Sequence, residues 1–232
     1  MRRRLPLQAA ILAVCAVAVG MWAWHFPYPS PLVKPFLPAN LRWPTAQVVE
    51  WAKQGNADAD FLAYFMRDPE RTIPAGNNIV APADGTVLGL HEKDGVRYVV
   101  ISLSVWDVHV ARSPFDATVT AIEEGGVPGG SREPPLYWLD GKLAPAFKRI
   151  DMQTPHGPAV LYLITSLLST RIELGVEPGA PIAKGQRIGR MLFGSTAVLG
   201  VPARYTFDLE MNQRVVGGET VIVDLDAAAA GG

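Results

Sequence analysis

Residues 7–24, LQAAILAVCAVAVGMWAW, are apolar apart from Gln8 and carry no alternation or heptad spacing. Such a run predicts a helix that is hydrophobic all round, close to the roughly 20 apolar residues that a membrane helix needs. Arg2, Arg3 and Arg4 precede it, and Trp22, Trp24, Phe26 and Tyr28 follow it in the manner of an interfacial aromatic belt. The arginines, the short apolar core and the small residues at 16–18 also satisfy the pattern of a cleaved signal peptide. The run ends in tryptophans rather than in a clean small-residue site, which favours an anchor. Beyond it, FPYPSPLVKPFLP at 26–38 predicts an extended, non-helical joint.

The period then becomes helical for two short stretches. Thr45 can cap a helix through Lys53, and Asp58 can cap one through Met66. The second places Phe61, Leu62, Phe65 and Met66 on one side, either as core packing or as a face laid on a bilayer. From Ile79 onward the pattern is one of short apolar runs punctuated by glycine. TVLGLHEKDGVRYVVISLS predicts two strands joined by a tight turn at Asp94-Gly95. ATVTAI, AVLYLIT, QRIGRML, TAVLGV and TVIVDL add five more strands, and VEPGAPIAKGQRIGRM has the strand-turn-strand form of barrel-sandwich domains. The expected fold is mainly β with short N-terminal helices (α+β): a barrel-sandwich-like β domain behind an N-terminal membrane segment. The expected divisions are 1–28 for the arginines and membrane segment, 29–78 for the joint and membrane-proximal helices, and 79–232 for the β-rich domain.

Charge and cysteine content narrow the chemistry. The 21 basic and 22 acidic residues are well mixed, leaving no basic stripe for nucleic acid. The single cysteine, Cys15, excludes an internal disulfide and a thiolate metal cluster. The four histidines, at 25, 91, 109 and 156, are too scattered to give a metal signature, so no metal is expected.

Three phrases place polar residues inside apolar runs: IVAPADGTV at 79–87, VWDVHVARSP at 105–114 and IGRMLFGST at 188–196. Each has an ordinary explanation when taken singly. Asp84-Gly85 suits a turn, His109 suits a strand histidine on the same face as Asp107, and Gly194-Ser195-Thr196 suits a bulge or turn.

Together, in this order, and with FMRDPERTIP at 65–74 before them, the phrases resemble the phosphatidylserine decarboxylase family, in particular its short bacterial and archaeal branch. The likeness runs to about residue 202. The family's hallmark is a Gly-Ser pair within a (Leu or Phe)-Gly-Ser-Thr motif at which the proenzyme cuts itself, and FGST at 193–196 fits it. The resemblance implies that Ser195 attacks the carbonyl of Gly194 and ends as a covalent pyruvoyl group, the only cofactor. That group forms a Schiff base with the substrate amine and serves as the electron sink. Glycine at 194 would give the backbone the freedom this attack demands. The resemblance further assigns Asp84 to self-cleavage, through orienting a base, and His109 to proton transfer in decarboxylation.

One position departs from the longer branch. The cleavage histidine found there three residues after the decarboxylation histidine is Arg112 here, as is typical of the short branch, so the base for cleavage is left between His109 and Asp84 with a water. Lys148 and Arg149 lie near where short members often carry an asparagine and a glutamate, without an assignable role.

The implied partners are phosphatidylserine in the membrane and the chain's own two cleavage fragments as a heterodimer, paired again into a larger oligomer. The alternatives are a decarboxylase of a related amine and a non-catalytic, membrane-tethered barrel-sandwich adaptor. The arginines at 2–4 would send a β domain behind a single span out of the cytoplasm. No second apolar segment returns the chain, and an 18-residue run could instead lie within one leaflet. The expected location is therefore the cell inner membrane with the catalytic domain on the cytoplasmic side.

Overall fold

The main hairpin forms where the turn chemistry asks for it. In the computed structural model, Asp94 and Gly95 take φ of 51° and 76°, the left-handed pair that matches the twist of a two-residue hairpin. They join β2 (Gly85–Lys93) to β3 (Val96–Leu103) in register from Lys93↔Val96 onward. The structure describes residues 4–25, 33–126, 146–165, 171–192 and 195–226. It divides into two units, residues 1–44 and 45–232.

In the first unit the apolar run folds as α1 (Arg4–His25). Every side chain from 8 to 21 is exposed, including Ile11, Leu12, Val14, Val17 and Val19. Among the described residues no helix is long and apolar enough to cross a membrane, so the expected membrane segment is found only as a helix with apolar residues in the open. The joint is not wholly extended either. Lys34–Phe36 make a 3-10 turn and Ala39–Arg42 a short helix, α2. Pro35 fits the 3-10 turn because its missing N–H falls in the first turn, where no partner is needed. Arg42 donates to the carbonyls of Pro35 (2.7 Å) and Leu37 (3.0 Å) and lies over the Trp43 ring.

The second unit begins with α3 (Thr45–Gln54) and α4 (Ala59–Phe65). Asp58 caps α4 by accepting from the Phe61 N–H at 3.1 Å, as its position predicts. The apolar stripe divides: Phe61 and Phe65 are buried, while Leu62 and Met66 are exposed. Core packing accounts for the first pair and leaves the second facing outward.

Thirteen strands follow among the described residues. In the eight-stranded antiparallel sheet the order is β12-β2-β3-β11-β7-β6-β5-β9, where β11 is Ser195–Pro202, β7 Gly157–Thr165, β6 Phe147–Thr154 and β5 Ala117–Gly125. The edges are β12 (Arg214–Val215) and β9 (Pro181–Ile182). A three-stranded sheet has β10 (Arg187–Met191) between β4 (Val110–Arg112) and β8 (Ile172–Leu174). Finally, β1 (Asn78–Val80) pairs with β13 (Val221–Asp224). The strand-turn-strand segment at 176–191 thus passes from one sheet to another, with β9 in the large sheet and β10 in the small one.

One face of the large sheet carries Val87, Val99, Ile101, Val119, Ile150, Met152, Leu161, Leu163, Ala197 and Leu199 into the main core, where Ile188 and Met191 of β10 meet them. Alternation of period two puts these residues on one side of their strands. Lys148 and Arg149 lie on β6 opposite Glu124 and Glu123 of β5 and pair with them at 2.5 and 3.5 Å. Their role in this fold is cross-strand charge pairing.

Candidate active site

The three phrases singled out in the sequence are joined by main-chain hydrogen bonds. The Arg112 N–H donates to the Pro82 carbonyl at 2.8 Å, tying the second phrase to the first. The Met191 N–H donates to the His109 carbonyl at 2.9 Å, tying the third to the second. Ser195 opens β11, its backbone paired with Leu103 of β3 and Thr165 of β7. Asp84 immediately precedes β2, the other neighbour of β3. Gly85 lies so close to that strand that a Cβ there would collide with the Ser102 carbonyl oxygen. Asp84 and Ser195 therefore flank the C-terminal end of β3 from its two sides. Phe193 and Gly194 lie outside the described residues, so the conformational role expected of Gly194 does too.

His109 is 1% exposed. Its Nδ1 is 2.9 Å from the Asp107 carbonyl oxygen, which can only accept, so Nδ1 carries the proton and Nε2 presents a lone pair. Among the described residues Nε2 has no hydrogen-bond partner. The ring packs on Phe65 of α4, with centroids 4.2 Å apart. Burial lowers the pKa of His109 to about 4, against the opposing effects of the Asp107 carbonyl and carboxylate, while Arg67 and Arg190 lower it further. The product is a neutral imidazole fixed in one tautomer.

The relation of His109 to Asp107 differs from the expected strand pairing. Residues 105–107 form a turn ahead of β4. The Asp107 carboxylate is drawn back to accept from the Ser104 N–H at 2.7 Å, and the turn closes with the Asp107 N–H donating to the Ser104 carbonyl at 3.0 Å. Arg214 also donates to that carboxylate, at 2.5 and 3.3 Å. Burial by itself would raise the Asp107 carboxyl, but the hydrogen bonds from Arg214 and Ser104 outweigh it and hold the pKa below its ordinary value. Asp107 thus reaches the imidazole through its carbonyl, not its carboxylate.

Asp84 meets no imidazole among the described residues. Arg71 donates to its Oδ1 and Oδ2 at 3.0 and 2.9 Å, and the Gly217 N–H donates to Oδ1 at 2.8 Å. Arg112 is 4% exposed and donates to the Asp68 carboxylate (2.9 Å) and to the carbonyls of Pro69 and Gly185 (both 3.1 Å). A guanidinium engaged in this way holds structure and cannot serve as the cleavage base.

These contacts reveal what FMRDPERTIP does, which the sequence alone does not disclose. Arg67 donates to the Trp106 carbonyl beside the His109 turn at 2.5 Å. Asp68 takes Arg112 and Arg187, Glu70 takes Arg187, Arg71 holds Asp84, and Glu219 accepts from the Thr72 N–H. The segment is a strap of charges crossing the phrases that carry Asp84 and His109. Its acid-base alternation was the available signal, but the partners lie up to 147 residues away. Arg214 was missed for the same reason.

The family model described as phosphatidylserine decarboxylase matches residues 59–223. The chain is 33% identical over 181 residues to a phosphatidylserine decarboxylase proenzyme of Carboxydothermus hydrogenoformans, covering 70% of this chain and 78% of the relative. It is 33% identical to the protein of that name from Streptomyces coelicolor, over 91% of this chain and 93% of the relative. To a putative archaetidylserine decarboxylase proenzyme of Halobacterium salinarum it is 34% identical, over 89% and 98%. With the strap, the three joined phrases and the buried histidine all inside the matched span, the chain belongs to the phosphatidylserine decarboxylase family.

Proposed function

We propose that this protein is a proenzyme that cleaves itself between Gly194 and Ser195 and then, as a carboxy-lyase, converts phosphatidylserine to phosphatidylethanolamine and carbon dioxide. The observation that carries the reading is His109: a buried, neutral imidazole whose Nε2 lone pair has no partner among the described residues, linked through the Met191 N–H to the strand that leads to Ser195.

Self-cleavage begins when the Ser195 hydroxyl gives up its proton and its oxygen adds to the Gly194 carbonyl carbon, breaking the C–N bond and leaving an ester. Loss of the Ser195 α-proton then expels Gly194 as a carboxylate. The remaining dehydroalanine takes up water and releases ammonia, so that residue 195 becomes a pyruvoyl group. His109 is the base supported for the first proton, because Arg112 is a saturated cation and Asp84 is engaged by Arg71 and Gly217. Asp84 supports the cut as a fixed negative charge beside the β3 end. The backbone at Ser195 suits the group, since residue 195 is the first residue of β11 and not in the middle of that strand. Residue 195 would carry the pyruvoyl group, whose carbonyl would supply the attachment point for the substrate amine and the electron sink for decarboxylation. His109 takes a proton at its Nε2 lone pair from the substrate ammonium as the amine reacts and returns it to the carbon that has lost carbon dioxide, while Asp107 and Phe65 keep its ring in place.

A membrane location for the enzyme draws support from the exposed apolar side chains of α1 and, separately, from Leu62 of α4 and Met66 at its C-terminal cap. We infer an embedded helix that leaves the catalytic unit on the cytoplasmic side. A reporter active only in the periplasm, fused to the C-terminus, should stay silent; strong signal would reverse this topology. For the function itself, the purified chain should release carbon dioxide from carboxyl-labelled phosphatidylserine and run as two fragments on a denaturing gel. Two fragments with no release from the lipid would exclude this substrate.

A further inference from the structure

Around His109 nearly every cation is matched by an acceptor. Arg112 and Arg187 share Asp68, Arg71 meets Asp84 and Glu219, Arg214 meets Asp107, and Arg171 meets Glu173. Arg67 donates to the carbonyls of Tyr64 and Trp106 and lies over the Tyr64 ring. Arg190 is the exception. Among the described residues its guanidinium reaches only the Met66 sulfur, at 3.5 Å, and no carboxylate.

The position of Arg190 is a built one. It is half-buried on β10, opposite Val110 of β4 and Glu173 of β8. It lines an open cleft with Asp68, Val110, Glu173 and Gly189. The next residue, Met191, binds the His109 carbonyl, so Arg190 stands one residue along the ladder from the imidazole. Met66, which it touches, is exposed, as is Leu62 one turn earlier on α4. A guanidinium without an anion, next to a proton-transfer group on one side and apolar side chains on the other, has the layout of a phospholipid headgroup: reacting amine, phosphodiester, then hydrocarbon.

We propose that Arg190 binds the phosphodiester of the lipid substrate in the β10 cleft and thereby sets the preference for phospholipid-linked serine over free serine. A planar guanidinium fork can hold two phosphate oxygens at once, which lysine cannot. Relatives named for phosphatidylserine and for archaetidylserine match the chain about equally well, as expected of recognition centred on the phosphoserine headgroup that the two lipids share. The proposal rests on the decarboxylase reading of His109 and Ser195 but is tested without needing turnover.

The test uses the full chain carrying Ser195→Ala, which cannot process, in detergent. Calorimetric binding of glycerophosphoserine should weaken roughly tenfold to a hundredfold on adding Arg190→Gln, with Arg190→Lys in between and serine binding unmoved. In chains with Ser195 intact, Arg190→Gln should raise KM for phosphatidylserine by a similar factor and leave the cleaved fraction unchanged. Unaltered glycerophosphoserine affinity in Arg190→Gln would overturn the proposal. Loss of inorganic phosphate binding with headgroup affinity intact would overturn it as well, marking a free-phosphate site, and a block in cleavage would place Arg190 in processing instead. Should the unaltered chain neither cleave nor decarboxylate, the functional reading fails, while the Ser195→Ala titration still decides the role of Arg190.

Discussion

The strap side of the site and the β10 side carry similar side chains and treat them in opposite ways. On the strap side, Asp68, Arg71, Asp84 and Arg112, together with Arg187 of β10, close on one another, so each charge taken from water meets an opposite one, although the buried Nε of Arg71 has no partner among the described residues. On the β10 side, among the described residues, His109 is buried with Nε2 unpartnered and Arg190 meets no carboxylate. Burying a polar atom without a partner is costly, and folds tolerate it where a ligand or a reaction will supply one. On the proposed reading, the difference separates the groups that hold the site from the groups that act in it.

The largest effect should come from Ser195→Ala. A methyl group cannot attack the Gly194 carbonyl, so the variant should stay uncut and inactive; a denaturing gel with two fragments would refute the assignment. His109→Ala should then lose roughly a hundredfold to ten-thousandfold in decarboxylation, measured per cleaved chain. Near-normal turnover in cleaved protein would remove His109 from the reaction. Asp84→Ala leaves Arg71 facing Glu219 alone and should accumulate uncut chain in a time course of processing, whereas prompt cutting would make Asp84 purely structural.

Smaller effects sharpen the boundary between the two sides. Phe65→Ala should cost about 3–5 kcal/mol in unfolding free energy and admit water to His109, moving its NMR titration midpoint up from about 4. An unmoved midpoint would deny that burial sets it. The same burial predicts a pH dependence of stability. The folded pKa lies below the ordinary 6.5, so the unfolded chain binds the extra proton first. Stability should be intact above that value and fall as pH drops towards 4, by about 3 kcal/mol for this group. Denaturant titrations of wild type and His109→Ala across that window isolate the contribution. Arg112→Met should be the mildest, because Asp68 keeps Arg187 while the Pro69 and Gly185 carbonyls lose a donor. We expect about 1–3 kcal/mol off the unfolding free energy with activity per cleaved chain retained. Lost processing at unchanged stability would instead make Arg112 part of the cleavage machinery.

Features set by neighbours along the chain were legible in the sequence. The Asp94-Gly95 turn, the Asp58 cap and the strands around Val87, Val119, Leu161, Leu199 and Ile222 needed only local chemistry. The strand β6 was overlooked, although Ile150, Met152 and Thr154 alternate inward, because its charged outer face breaks the apolar run. The three phrases could be picked out, but their roles came from family likeness. The strap partners, Arg214 and the isolation of Arg190 depend on pairings between distant residues, which spacing does not encode. The turn at Ser104–Asp107 also overrode the strand alternation expected for Asp107 and His109, since a short acid beside its own backbone N–H closes a turn readily.

Mass spectrometry of the purified full-length chain shows whether Ser195 turns itself into a pyruvoyl group. One fragment should end in Gly194 as a free carboxylate, and another should cover residues 195–232 with pyruvoyl as its first residue and no free amine. An active preparation that is intact at full length, or a small fragment that begins with an unmodified serine, would contradict it.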